Sequence, residues 1–142
     1  MTNAALGYGV KLKLGDGASP EVFAEIGEIT DISDGDSAEL KEVTNHQSAG
    51  SRREYIGGLI DGGEVTFTVN YDPDGATHNR TTGLQAYLRQ TKNFRLEEPG
   101  NTLGYEFAAV IMSTSKAYPV DDKMSMDVTI KKTGALTAYT VA

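Results

Sequence analysis

Residues 51–71 read SRREYIGGLIDGGEVTFTVNY. The second half alternates strictly. Val65, Phe67, Val69 and Tyr71 fall on one face, and Glu64, Thr66, Thr68 and Asn70 on the other. A period of two marks a strand with one face in a core and one outside it. The first half has no such rhythm. Two arginines and a tyrosine lead through Ile56, Leu59 and Ile60, interrupted by glycine pairs at 57–58 and 62–63. The glycines lack the strand–GxxxxGK–helix setting of a phosphate cradle, so they read as bends or close backbone approaches.

The same alternation recurs outward along the chain. In YGVKLKL (8–14), Tyr8, Val10, Leu12 and Leu14 share a face, and Asp16-Gly17 then marks a turn. Residues 21–33 are strand-prone but mixed. Residues 104–112, GYEFAAVIM, are apolar on both faces and predict a strand covered on both sides. In MSMDVTIKK (124–132), Met124, Met126, Val128 and Ile130 point one way, Ser125, Asp127, Thr129 and Lys131 the other. Residues 135–141 form a last extended run. One segment breaks the pattern. Leu84, Tyr87 and Leu88 stand at i, i+3 and i+4, which predicts a short helix over 81–91, with Thr82 and Gln85 as a capping box. Residues 31–63 carry little periodic apolar signal and read as one long central loop, of a length found where a loop is functional or disordered. The expectation is a single domain over 1–142. It is mainly β: two packed antiparallel sheets in a barrel-like sandwich, one flanking α-helix and the long loop.

Composition narrows the function. The chain has 142 residues, enough for one core without staples, and 39% of them are hydrophobic. Its net charge of −7 is concentrated early: residues 1–50 hold nine acids against three lysines. A nucleic-acid clamp needs the opposite sign. Cysteine is absent, which removes disulfides and thiolate metal sites. No run approaches a membrane span, and the first residues lack the pattern of an export signal.

Catalytic constellations are equally scarce. His46 and His78 lie in irregular segments without a partnering nucleophile and read as solvated loop residues. Asp31, Asp34 and Asp36 around Gly35 miss the calcium-loop pattern and read as turn formers. Asp72-Pro73-Asp74-Gly75 is turn chemistry. No catalytic, cofactor-binding or metal-binding residue is therefore assigned, and an enzyme is not expected. Arg52, Arg53, Tyr55, Ile56, Leu59 and Ile60 stand out instead. Arginine and tyrosine are enriched at interface cores, so these residues read as an interface or, alternatively, as Tyr55 and Ile56 anchoring the loop on its own domain.

REYIGGLIDGGEVTFTVNYDPD (53–74) resembles the tail tube, or major tail, proteins of bacteriophages with long non-contractile tails. HNRTTGLQAYL (78–88) and AAVIMSTSKAYPVDDKMSMDVTIKKTG (108–134) are similar to the same family. The resemblance implies a structural virion protein, made in the bacterial cytoplasm. Six copies would form a ring, rings would stack into a hollow tube, and the genome would pass to the host through it. The long loop would reach neighbouring subunits. Implied partners are further copies of the chain and the tape measure, tail terminator and tail tip proteins. Phage DNA would cross the lumen without specific binding, and no membrane is involved. Glu64, Thr66, Thr68, Asn70, Ser125, Asp127 and Thr129 are the candidate lumen lining. The rivals are an extracellular β-sandwich module, such as a carbohydrate binder, and the tube of a contractile tail or type VI secretion system.

Overall fold

The alternating run at the head of the sequence is a strand, Glu64–Asn70 (β6), and every second side chain in it is buried. The computed structural model describes residues 9–17, 20–81, 83–99 and 102–140. Tyr8, Thr82 and Val141, placed above in a strand, a cap and the last extended run, lie outside them. The other strands are Lys11–Gly15 (β1), Phe23–Glu25 (β2), Ile29–Asp34 (β3), Ser37–Glu42 (β4), Tyr55–Asp61 (β5), Thr91–Glu97 (β7), Leu103–Ala117 (β8) and Ser125–Thr140 (β9). Seven form one antiparallel sheet in the order β2-β1-β7-β8-β9-β6-β3, and β4 and β5 form a separate two-stranded hairpin.

The long strands β8 and β9 pair from Leu103↔Thr140 to Ala117↔Ser125 and run through the whole sheet. Near one end they are flanked by β7, β1 and β2; near the other, by β6 and β3. We call these the β1 wing and the β6 wing. Irregular register at Glu106/Ala108 and at Ile111/Ser113 bends the ribbon between them. Leu12 and Leu14 of β1, Phe94 and Leu96 of β7, and Phe107, Ala109 and Ile111 of β8 lie on one face of this sheet. Met126, Val128 and Ile130 of β9 and Val65, Phe67 and Val69 of β6 continue it, and all of them are buried. The core's other members are Ile26 and Leu84. Two side chains cannot roof a seven-stranded face, so the wings fold over and close the core between themselves. Phe94 and Phe107, cross-strand partners on β7 and β8, stack at 6.0 Å.

Two expectations are corrected. The α-helix over 81–91 is absent: the segment holds only a 3-10 turn, Leu84–Tyr87, with Leu84 buried. Arg89 has φ 73, which no helix continues, and its amide donates to Ile111 O at 2.8 Å. Thr91 already belongs to β7, a strand with no counterpart in the pattern reading. Among the described residues there is no α-helix. The segment 31–63 is likewise no irregular loop, since it contains the end of β3 and the β4–β5 hairpin. The strand around 104–112 is covered only in part, with Ala108 and Val110 half-buried and Met112 exposed.

Phe67→Ala is expected to cost about 3–5 kcal/mol, because the wings cannot collapse into the space it leaves. Urea unfolding followed by circular dichroism measures that loss.

Candidate functional site

The β4–β5 hairpin projects from the body as an arm. Every residue of both strands is exposed. Glu42 pairs with Tyr55, Lys41 with Ile56 and Ser37 with Asp61. Beyond the strands, Val43 N donates to Glu54 O and Glu54 N to Thr44 Oγ1, both at 2.8 Å, so the zip continues towards the tip. Apolar side chains occur on both faces. Ala38, Leu40, Tyr55 and Ile60 share one, Ile56 lies on the other, and Leu59 falls in the irregular stretch where the register shifts. Leu59 is 81% exposed and Ile60 79%. Such patches are unusual on an isolated chain and mark a surface that another molecule covers. Arg52 and Arg53 sit at the tip, also exposed. The six interface candidates of the sequence thus lie together on one protruding element.

The arm's root is held by charge. Lys132 alternates in β9 with Val128 and Ile130, which puts it on the core face, and its side chain is 2% exposed. Its ammonium donates to Asp34, at the end of β3, and to Asp36, 3.0 Å away, just before β4. Lys131, on the opposite face, pairs with Asp61 at 2.8 Å. Both strands of the arm are thereby tied to β9. Gly63 closes the root at φ 71, and a Cβ there would sit 1.9 Å from Gly35 O, so the position admits only glycine. Asp34 and Asp36 therefore anchor the arm, which goes beyond turn forming. Among the described residues no group of histidines and carboxylates could hold a metal ion. A cleft of about 1100 Å³ runs between the arm root and β9 at Lys132–Leu136.

The outer face of the β6 wing carries the other candidates. Direct cross-strand pairs are Glu64↔Lys131, Thr66↔Thr129, Thr68↔Asp127 and Asn70↔Ser125. Asp31 and Ser33 of β3 extend the lattice on one side, Ser113 and Ser115 of β8 on the other. Thr68 Oγ1 donates to Asp127 at 2.7 Å. Asn70 is half-buried, its amide oxygen enclosed and without a hydrogen-bond partner among the described residues, so it belongs to the rim of this face. Lys131 is already neutralised by Asp61, which leaves the carboxylates of Asp31, Glu64 and Asp127 to set the sign of the surface.

The outer face of the β1 wing is closed by its own side chains. Arg95 stacks on Phe23 at 3.9 Å and on Tyr139 at 4.4 Å, and pairs with Glu106 at 2.9 Å. Burial works against the Glu97 carboxylate, yet hydrogen bonds from Lys13 and Tyr139 outweigh it and hold its pKa below the usual value. Burial, and then the bond to Glu97, push the Tyr139 phenol up.

His78 corrects the solvated reading. It is buried, Nδ1 accepts from Asp72 N at 3.1 Å, and Nε2 donates to Gly27 O at 2.9 Å. The imidazole is a neutral brace between two turns. His46 is exposed, as read.

The fold is shared with known proteins. The family model described as Lambda phage tail tube protein, TTP, matches residues 10–138, and the chain belongs to that family. It is a structural protein of the virion, part of the tail tube of a phage-like particle. The fold is similar to the tail of an empty gene transfer agent (GTA) particle refined with C6 symmetry. That match has a TM-score of 0.79 and 21% identity over 98% of this chain and 100% of the other. The SPP1 tail tube is similar at a TM-score of 0.70 and 14% identity, over 97% of this chain and 80% of the other. The sheath-tube complex of an extracellular contractile injection system (PVC) is similar at 0.66 and 13%, over 99% and 95%. No curated protein matches the sequence. Among the described residues no helix is long and apolar enough to cross a membrane.

Burial opposes the charge on Lys132, but hydrogen bonds to Asp34 and Asp36 outweigh it and raise its pKa above the ordinary 10.5. A raised folded value means the stabilisation is complete below pH 10.5 and lost as pH climbs through the folded value. Lys132→Met is expected to cost about 1–3 kcal/mol, a buried-pair penalty reduced because both aspartates are partly in water. Thermal scans should show the variant losing the alkaline part of the wild-type decline. Limited proteolysis should cut its arm root sooner.

Proposed function

We propose that six copies of this chain form a ring, and that stacked rings build the tube of a long non-contractile tail. In this reading the four-stranded β6 wing is the wall segment. Its edges are β3 and the Ser113–Ala117 stretch of β8, neither of which has a further strand partner among the described residues. Open edges are a hazard in a solitary protein and a joint in a ring. Twenty-four strands about 4.8 Å apart, tilted by about 40°, enclose a backbone diameter of roughly 45–50 Å. Glu64, Thr66, Thr68, Asp127, Ser125 and Thr129 then face the lumen, with Asn70 at its rim. An acidic and hydroxyl-rich wall lets a polyanion slide without adhering, so DNA passes without specific binding. Arg52, Arg53, Tyr55, Ile56, Leu59 and Ile60 make the arm the contact with neighbouring copies. The tape measure, terminator and tip proteins meet the tube inside and at its ends. No chemistry is assigned to the chain.

The observation that carries this reading is the outer face of the β6 wing, polar along four strands and open at both edges. A second reading, the tube of a contractile system, draws on the likeness to the injection-system tube. Particles with an outer sheath in cryo-microscopy would select it.

Purified protein at high concentration is expected to form tubes visible by negative stain. Tyr55→Ala combined with Leu59→Asp should leave a folded chain that elutes as small species and makes no tubes. Normal-length tubes from this variant would remove the arm from the assembly.

A further inference from the structure

A groove of about 610 Å³ opens where the start of β1, the β2–β3 turn and β3 meet. Val10, Ile29 and Ile32 pack on the core and leave part of their surface in it. Glu25, Glu28 and Asp31 add three exposed carboxylates. None is in an ion pair among the described residues. The Asp31 carboxylate accepts the amide of Ile32 at 3.0 Å. Glu28 stands on a fixed turn. It holds φ 62, its carbonyl accepts from Asn70 N at 3.0 Å, and His78 braces the preceding carbonyl.

The arm tip has the complementary chemistry. Arg52 and Arg53 are exposed and make no ion pair among the described residues. The next residue, Glu54, does not neutralise them, because its carboxylate takes the Ser48 hydroxyl at 2.8 Å. Tyr55 and Ile56 follow on opposite faces of β5, so either face of the arm offers an apolar group to the floor of the groove.

Placement decides which groove the tip can enter. The groove lies towards the Ile29 end of β3, and the arm leaves from the Asp34 end. The strand separates them by roughly 16 Å, and the six residues of β4 carry the tip a further 20 Å or so from the root. A projection and its receptor at opposite ends of one molecule form a heterologous contact, which propagates from copy to copy.

We infer that the arm tip of one copy docks head to tail in this groove on a second copy, Arg52 and Arg53 pairing with Glu25, Glu28 and Asp31. The inference rests on the tube assembly proposed above and names the surface that receives the arm.

Charge reversal and restoration test it. Arg52→Glu with Arg53→Glu, and separately Glu28→Lys with Asp31→Lys, should each leave the circular dichroism spectrum unchanged. Each should raise the polymerisation threshold by about tenfold or more, since like charges then face each other. Pelleting and negative stain read that threshold. The chain with all four changes should return to within a few-fold of wild type. Normal polymerisation by the folded groove variant overturns the inference and leaves the tube reading intact. So does a folded four-fold variant that stays inactive. A wild type that forms no tubes at any concentration sinks both.

Discussion

The β8–β9 ribbon is the constraint on which everything else depends. A single sheet with one apolar face must hide that face, and here the roof is the sheet's own other end. Only a pair of strands long enough to belong to both wings can arrange this. The ribbon's irregular register points place the bend, and the bend brings the leucines of β1 into one interior with the valines of β6. One consequence is topological. Each wing keeps edges that the fold leaves unclosed, so the interior is complete while the sheet is not.

The two outer faces show how one architecture separates tasks. On the β1 wing, charged groups are spent on one another: Lys13 with Glu97, Arg95 with Glu106, and rings above and below the guanidinium. That face is chemically sated. The β6 wing instead presents hydroxyls and carboxylates with few internal partners. Fields from such a surface reach outwards and are not cancelled locally.

Much of this was legible in the residues, for identifiable reasons. β6 and the first half of β9 have one dry face and one wet one, so their alternation is clean and their shared lattice could be anticipated. β7 is short and carries only Phe94 and Leu96 as apolar markers, which pattern alone does not separate from a turn. The arm defeats periodicity for another reason. Neither of its faces is buried in the chain itself, so nothing forces its side chains to alternate. Helical spacing at Leu84, Tyr87 and Leu88 was real but local. The backbone of Arg89 is drawn into β8 before a second turn can form. Lys132 left a signal that could have been used. It stands at the parity of Met126, Val128 and Ile130, and a lysine on a core face requires nearby anions; Asp34 and Asp36 were available.

Gly63, Gly35 and the Lys132 clamp have a consequence for how such a chain can change over time. They make the arm a module, fastened at a fixed root and contributing nothing to the interior. Its residues are free to drift, lengthen or be exchanged without disturbing the body, provided the fastening survives. The outer face of the β6 wing can in turn change without disturbing the arm or its fastening. Selection on that face and selection on the arm then act on separate stretches of one chain.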